Sequence, residues 1–394
     1  MAGAGTSNGV DLLAAGRLPG DVAAALKGSR VGLITNHAGV TKTLGSTVDL
    51  LFQADGIDLR ALFGPEHGVR GNARAGEKVG DGVDPVTGLP VYSLYGENRK
   101  PTREMLAGID VLVMDLQDIG CRYFTYIYTM ALSMEAAATA GIGFVVLDRP
   151  NPINGITREG GILGEGFKSF VGLYPIPVRH GLTAGELALL FKQLLGMDLE
   201  LTVAPVEGWR RGMWFDETGS IWVPPTPNST CIEMATLYPG TCLVEGTNMS
   251  EGRGTTMPFR VVGAPWIEPH RFADHLARQG IEGALFRPTY FQPSYSKHQS
   301  DVCGGVQIHV TDREALRPVR LGLHLVRAAL ELYPHDFAFL PPSGVSRCFF
   351  DLLVGTDRVR EELLAGPDVE AIASRWEEGL EGFSSQVEAI LLYD

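Results

Sequence analysis

Between residues 30 and 147, short and nearly wholly apolar runs alternate with amphipathic segments, and this alternation limits the fold more than any motif does. Residues 30–35, 59–63, 89–94, 111–114 and 143–147 read as strands. Residues 47–54 and 126–140 read as helices, and Thr102 is placed to cap another running through Ala107. Continuous apolar strands interleaved with helices imply a parallel sheet covered on both faces. Residues 185–195 extend the pattern as a helix and 199–205 as a last strand. The expected architecture is an α/β, Rossmann-like parallel-sheet domain. In such sheets the functional loops lie at the carboxyl ends of the strands. Here those ends carry Asn36-His37, Glu66-His67, Asp115 to Asp118, and Asp148 to Asn151.

A change of texture follows. Residues 209–229 are rich in Pro and Trp and read as a joint, giving a first domain over 1–230 and a smaller α+β domain over 231–394. The second part has long loops at 238–258 and 287–299, a strand at 305–310, and helices at 319–332 and 368–380. Trp209, Trp214, Trp222 and Trp266 are expected in the core or the domain interface, with one or two of them available to a sugar cleft.

Several function classes fall away. The formal net charge of −13 disfavours a nucleic-acid surface or an anionic membrane surface. No run of apolar residues is long enough to insert into a membrane. The five cysteines are odd in number, widely spread and without a CxxC pair, which argues against a disulfide framework or a structural zinc site. The N-terminus does not read as a secretory signal, so a reducing, cytoplasmic compartment is the expectation. The first strand leads into Thr35-Asn36-His37-Ala38-Gly39, not GxGxxG. Phosphate-loop, HExxH and GxSxG motifs are also missing. No metal and no cofactor is expected.

The residues that can carry chemistry are clustered. Gly64-Pro65-Glu66-His67-Gly68 is a tight turn directly after a strand. A carboxyl held there is either a candidate general acid or the partner of a nearby arginine. The run from Asp115 to Tyr123 supplies Asp115, Gln117, Asp118, Arg122 and Tyr123, a fan of planar polar groups suited to a sugar. Its bland counterpart is a capped, ion-paired helix start. Asp148 to Gly155 places Arg149 and Asn151 in a loop stiffened by two prolines. His180, before a helix start containing Thr183 and Glu186, is first of all a candidate buried histidine. The loop from Glu245 to Thr255 offers Glu245, Asn248, Glu251 and Arg253 between glycines that let it wrap a ligand closely.

Taken in order, these segments resemble the exo-β-N-acetylmuramidases of the NamZ type, formerly a domain of unknown function. The likeness is carried by Gly32 to Gly39, Phe63 to Gly68, Asp115 to Gly120 with Arg122-Tyr123, and Leu147 to Pro152. It continues through Tyr174 to Gly181, Pro224 to Asn228, Tyr238-Pro-Gly, and Glu245 to Thr255. It implies an active site in the cleft between the two domains. It also implies release of N-acetylmuramic acid from the non-reducing end of small peptidoglycan-derived saccharides. The family glutamate of the GPEHG motif falls on Glu66.

Glycoside cleavage ordinarily uses two carboxyl groups. Glu66 is the expected general acid, and Glu245 or Asp118 the second group. A 2-acetamido sugar also permits its own acetamido oxygen to attack. Asn36, His37, His67, Asp115, Gln117, Tyr123, Asn151, His180, Asn248 and Glu251 are the further expected substrate contacts. Arg122, Arg149 and Arg253 are the candidates for binding the lactyl carboxylate that distinguishes muramic acid from glucosamine. Two other readings stay open: a non-catalytic carbohydrate-binding protein, and a sugar-phosphate enzyme.

Overall fold

The computed structural model describes residues 5–66, 68–69, 80–342, 347–366 and 368–394. Its larger sheet comprises β1 (Arg30–Thr35), β2 (Asp58–Gly64), β3 (Gly82–Val83), β4 (Pro90–Ser93), β5 (Val111–Asp115), β6 (Gly143–Leu147) and β7 (Leu201–Ala204). The strand order is β3-β4-β2-β1-β5-β6-β7, and every pairing is parallel except that of β3 with β4. From β4 to β7 this is the doubly wound order, with its switch point between β1 and β5. The helices Thr47–Gln53, Tyr126–Ala140 and Ala184–Leu194 connect or flank these strands. The last begins with a capping box, in which Thr183 Oγ1 accepts the Glu186 N–H and the Glu186 carboxylate accepts the Thr183 N–H. The central strands are buried on both faces, as their unbroken apolar runs require.

A second, three-stranded sheet is antiparallel, with β8 (Val261–Ala264), β9 (Ala284–Phe291) and β10 (Cys303–Val310) in the order β8-β10-β9. The helix Ile232–Thr241 packs beside the helix Pro318–Leu332, where Gly240 and Gly322 meet backbone to backbone. A side chain on Gly240 would run into the Pro318 carbonyl, and one on Gly322 into the Gly240 carbonyl. One contiguous apolar core joins both sheets. Among the described residues no helix is long and apolar enough to cross a membrane.

The structure corrects four expected elements. Residues 102–107 form turns rather than a helix, because a segment bounded by Pro101 and by Gly108 at φ +78° is too short to propagate one. The expected 287–299 loop begins as strand, since β9 runs to Phe291. Its Pro288 is tolerated because β9 is an edge strand. The expected 238–258 loop starts within the helix Ile232–Thr241 and continues as a short 3-10 turn, Cys242–Gly246. The 368–380 helix is two, Val369–Ser374 and Glu377–Val387, broken where Trp376 lies against Gly161.

Candidate active site

The turn after β2 places Glu66 at the edge of a narrow cleft of about 50 Å³. Its remaining walls are Tyr123, Phe124 and Thr125 from the run beyond β5, Thr226, Asn228 and Ser229 from the joint, and Tyr238, Arg253 and Phe259 from the second domain. Thr125 donates a hydrogen bond to Glu66 Oε2 at 3.0 Å. The Tyr95 side chain also hydrogen-bonds the Glu66 carboxylate, and burial, reinforced by the Glu66 charge, pushes the Tyr95 phenol up to about 12. Tyr95 therefore stays a donor throughout the working pH range.

An aromatic wall stands opposite. Tyr238 packs edge-on against Tyr123, Phe124 and Phe259 with centroids at 5.6, 6.2 and 4.7 Å. The Tyr123 hydroxyl donates to the Pro239 carbonyl, which ties the first domain to the helix carrying Tyr238. The Arg253 guanidinium sits 4.9 Å from the Phe259 centroid. Two glycines, Gly252 and Gly254, both at φ +81°, let the backbone bend on either side of Arg253.

Arg253 is the centre of a charge network. Its Nε and Nη2 donate to Glu245 Oε1 at 2.9 and 2.6 Å, and Nε lies 3.3 Å from Glu251. Lys297 meets Glu251 at 2.9 Å. Burial and the neighbouring Glu251 raise the Glu245 carboxyl while Arg253 opposes the shift, and the net direction is upward. The Arg253 charge is held firmly on, because two carboxylates outweigh its burial.

The other expected site residues are placed differently. Asn36 and His37 hold the joint instead of pointing at a ligand. Asn36 Nδ2 donates to the Tyr126 hydroxyl at 2.9 Å and the Pro225 carbonyl at 3.0 Å, and His37 Nε2 lies 2.8 Å from the Pro224 carbonyl. The crevice at the β1/β5 switch point is thus bridged to the chain's own Pro224-Pro225, which in turn sets Thr226, Asn228 and Ser229 in the cleft. Asn248 clamps a neighbouring segment, donating to the Asp336 carbonyl and accepting from the Ala338 N–H. His67 lies outside the described residues.

Arg122 is fully buried, and its guanidinium donates to the carbonyls of Gly161, Ile176, Leu353 and Val354 at 2.7–2.9 Å. It joins the two domains and has no access to a lactyl carboxylate. Arg149 is buried against Asp115, donating from Nε at 2.5 Å and from Nη2 at 2.9 Å, and Nη2 also donates to the Val40 carbonyl. Thr47 adds a further hydrogen bond to Asp115. Gln117 donates to the Asp118 and Pro150 carbonyls, and Asn151 donates to the Leu182 carbonyl. Asp118 accepts the Gly120 N–H at 2.7 Å and lies 3.3 Å from His180 Nε2, with both side chains buried. These side chains are mostly spent on the fold, because polar groups at packed strand ends are costly to bury unpaired; Asp118 Oδ1, Arg122 Nε and His180 Nε2 are left without a hydrogen-bond partner among the described residues.

Of the expected residues, then, the cleft gathers Glu66, Tyr123 and Arg253, with Glu245 and Glu251 joined through Arg253. Tyr95, Phe124, Thr125, Asn228, Ser229, Tyr238 and Phe259 had not been singled out as contacts. Tyr238 and Asn228 lie in the segments that carry the family resemblance, which was the available signal. Trp222 supports the cleft indirectly, its indole N–H donating to the Ser229 carbonyl at 2.9 Å. Trp209 and Trp214 are core residues. Among the described residues no cluster of His, Cys, Asp and Glu is arranged to hold a metal ion.

Comparison with known proteins identifies the family. Residues 31–233 match the family described as exo-β-N-acetylmuramidase NamZ, N-terminal, and residues 236–393 match its C-terminal counterpart. The peptidoglycan β-N-acetylmuramidase NamZ of Bacillus subtilis (strain 168) is 49% identical over 368 residues, covering 93% of this chain and 88% of that protein. Two crystal structures of DUF1343 family proteins from Bacteroides fragilis NCTC 9343 are also similar. One is 39% identical with a TM-score of 0.90, the other 31% identical with a TM-score of 0.78, and each alignment covers 99% of both chains. The chain belongs to the NamZ family of exo-β-N-acetylmuramidases.

Proposed function

We propose that this protein releases N-acetylmuramic acid from the non-reducing end of peptidoglycan-derived glycans, with Glu66 as the proton donor to the leaving oxygen. The observation that carries the reading is that one cleft is lined by both Glu66 and Arg253, one from each domain. A carboxyl supplies the proton that glycoside cleavage needs. A guanidinium with planar N–H donors supplies what a lactyl carboxylate needs. Thr125 and Tyr95 orient the Glu66 carboxyl, and Tyr123, Phe124, Tyr238 and Phe259 form an apolar lining to the cleft.

Glu245 is the second carboxyl in this reading. It reaches the site through Arg253, and its burial-raised affinity for a proton suits a group that changes protonation during the cycle. Asp118 is set aside for that role because it is sealed against His180 and the Gly120 N–H. The sugar's own acetamido oxygen is the alternative nucleophile.

The test is hydrolysis of a chromogenic β-N-acetylmuramide beside its glucosaminide analogue, by the wild type and by Glu66→Gln. Release from the muramide, lost in the variant, is expected. No release from either substrate sinks the reading. Release that survives in Glu66→Gln moves the proton donor elsewhere.

A further inference from the structure

Beyond Glu66, on the side of Tyr95, the surface carries a second guanidinium–aromatic pair that the reading above does not use. The Tyr95 ring lies 5.7 Å from Phe170, and the Arg99 guanidinium is 4.0 Å above the Phe170 ring. Phe170 projects from a tight turn closed by reciprocal backbone hydrogen bonds between Ser169 and Gly172 at 2.7 and 3.0 Å. Its neighbours Val171 and Leu173 pack into the core, whereas Phe170 and Tyr95 join none of the apolar clusters formed by the described residues. Phe170 thus lies next to the Tyr95 ring that contacts the acid, outside these apolar clusters. Arg99, exposed, also borders an open groove that continues past Lys100 and Arg103.

The Tyr95 hydroxyl lies in the field of both Arg99 and Arg253. Two arginine-on-phenylalanine pairs therefore flank the acid, Arg253 on Phe259 from the second domain and Arg99 on Phe170 from the first. In an exo-acting enzyme the two sides of the acid have different tasks. One holds the terminal sugar that is released, and the other holds the remainder of the chain, whose oxygen receives the proton. Arg253 belongs to the side of the Tyr238 and Phe259 wall. Arg99 borders the open groove, and Phe170 lies beneath its guanidinium.

Resting on the muramidase reading, we propose that Tyr95, Phe170 and Arg99 form the leaving-group subsite, which takes the 2-acetamido sugar on the reducing side of the cleaved bond. That sugar's apolar ring face packs against the Tyr95–Phe170 pair. Phe170 fixes the plane of Arg99 so that its N–H donors meet the sugar's hydroxyl or acetamido oxygens. Binding there places the leaving oxygen at Glu66 and so serves the step in which the proton is transferred.

The experiment compares two substrates that share the terminal sugar and differ only in what leaves. One is the disaccharide N-acetylmuramyl-β-1,4-N-acetylglucosamine, and the other is the β-fluoride of N-acetylmuramic acid, whose leaving group is too small to reach Phe170. Phe170→Ala and Arg99→Ala are each expected to lower kcat/KM on the disaccharide about tenfold, mainly through KM, and to leave fluoride release within about twofold. Phe170→Leu, which keeps an apolar side chain on the turn, is expected to lie between wild type and Phe170→Ala. Equal losses on both substrates, or no loss on either, overturn the subsite while the muramidase reading stands. Failure of the wild type to cleave either substrate overturns both.

Discussion

At the ends of β5 and β6, Asp115, Asp118 and Asp148 are buried, each no more than 6% exposed, and each is surrounded by donors from its own fold. Asp115 has Arg149 and Thr47, Asp118 has the Gly120 N–H with His180 Nε2 3.3 Å away, and Asp148 has Arg149, Thr183, Gly185 and Tyr393. At the end of β2, Glu66 is also hydrogen-bonded, to Thr125 and Tyr95, but it opens onto a cleft lined from both domains. The two regions have the same composition and the same place in the sheet. The difference lies in what covers them. The β5 and β6 ends lie beneath the 150–186 segment and the C-terminal tail, whereas among the described residues the β2 end faces a cleft shared with the joint and the second domain. Carboxylates at strand ends are candidates for chemistry, and the covering segment decides which of them can reach a substrate.

The sharpest way to break this comparison is to neutralise one carboxylate from each region. Glu66→Gln is expected to lower kcat by roughly 10²–10⁴-fold, the range for loss of a general acid, with little change in Tm. Asp118→Asn is expected to leave the pH–rate profile in place and to act on stability instead. If Asp118→Asn reshapes the acid limb of that profile, the sealed region takes part in catalysis and the contrast fails.

Next in size is Arg122, the arginine of the sealed region. Arg122→Met removes the donors of four buried carbonyls that span the two domains. The expected cost is about 3–5 kcal/mol, read as a lower denaturation midpoint. The preference for muramic over glucosamine substrates is expected to persist in whatever protein remains folded. A stable variant that has lost this preference would put Arg122 in the substrate site after all.

Asp148 sharpens the contrast through pH. Burial raises its carboxyl from the usual value of 3.8 to about 6, against hydrogen bonds from Tyr393, Gly185 and Thr183 that lower it. Because its folded-state value is raised, its contribution to stability is complete below the unfolded value and is lost as pH rises through about 6. The loss amounts to at most about 3 kcal/mol at about 1.4 kcal/mol per pH unit. Asp148→Asn is expected to flatten this decline between about pH 4 and 6, measured by urea unfolding at several pH values. An unchanged slope would mean that other groups set it.

Much of this fold was legible because apolar periodicity reports burial directly. The strands at 30–35, 111–115 and 143–147 and the helix Tyr126–Ala140 fall where unbroken or 3.6-spaced apolar residues put them. The second domain was harder, since β9 is an edge strand with a proline and half-exposed side chains that weaken the alternation. In the site, Glu66 and Arg253 were legible as charged residues set among glycines. Arg122, Arg149 and Asp118 misled because a buried clamp and a ligand-binding fan use the same residue types. Tyr95 and Thr125 gave no signal, because their function is set by a contact with Glu66 across 29 and 59 residues of chain respectively. The partner of a catalytic group is chosen by tertiary packing, and a single sequence does not display it.

The smallest expected effect concerns the cleft arginine, the counterpart of Arg122. Arg253 is held by Glu245 and Glu251, with Lys297 completing the network, so deleting it would leave two carboxylates facing one lysine. Arg253→Lys is the milder variant, since it retains the charge and loses the planar fork. The expected result is a roughly tenfold to hundredfold fall in the muramide-to-glucosaminide ratio of kcat/KM, the weight of one bidentate charged contact. The change is expected in KM for the muramide, with the slow glucosaminide reaction unaffected. If both substrates lose equally, Arg253 serves to hold Glu245 and the aromatic wall in place, and the lactyl carboxylate must be bound elsewhere. If only the muramide suffers, the open region differs from the sealed one in function as well as in exposure: the same arginine–carboxylate pairing that closes the β5 and β6 ends would here keep a guanidinium ready for an incoming anion.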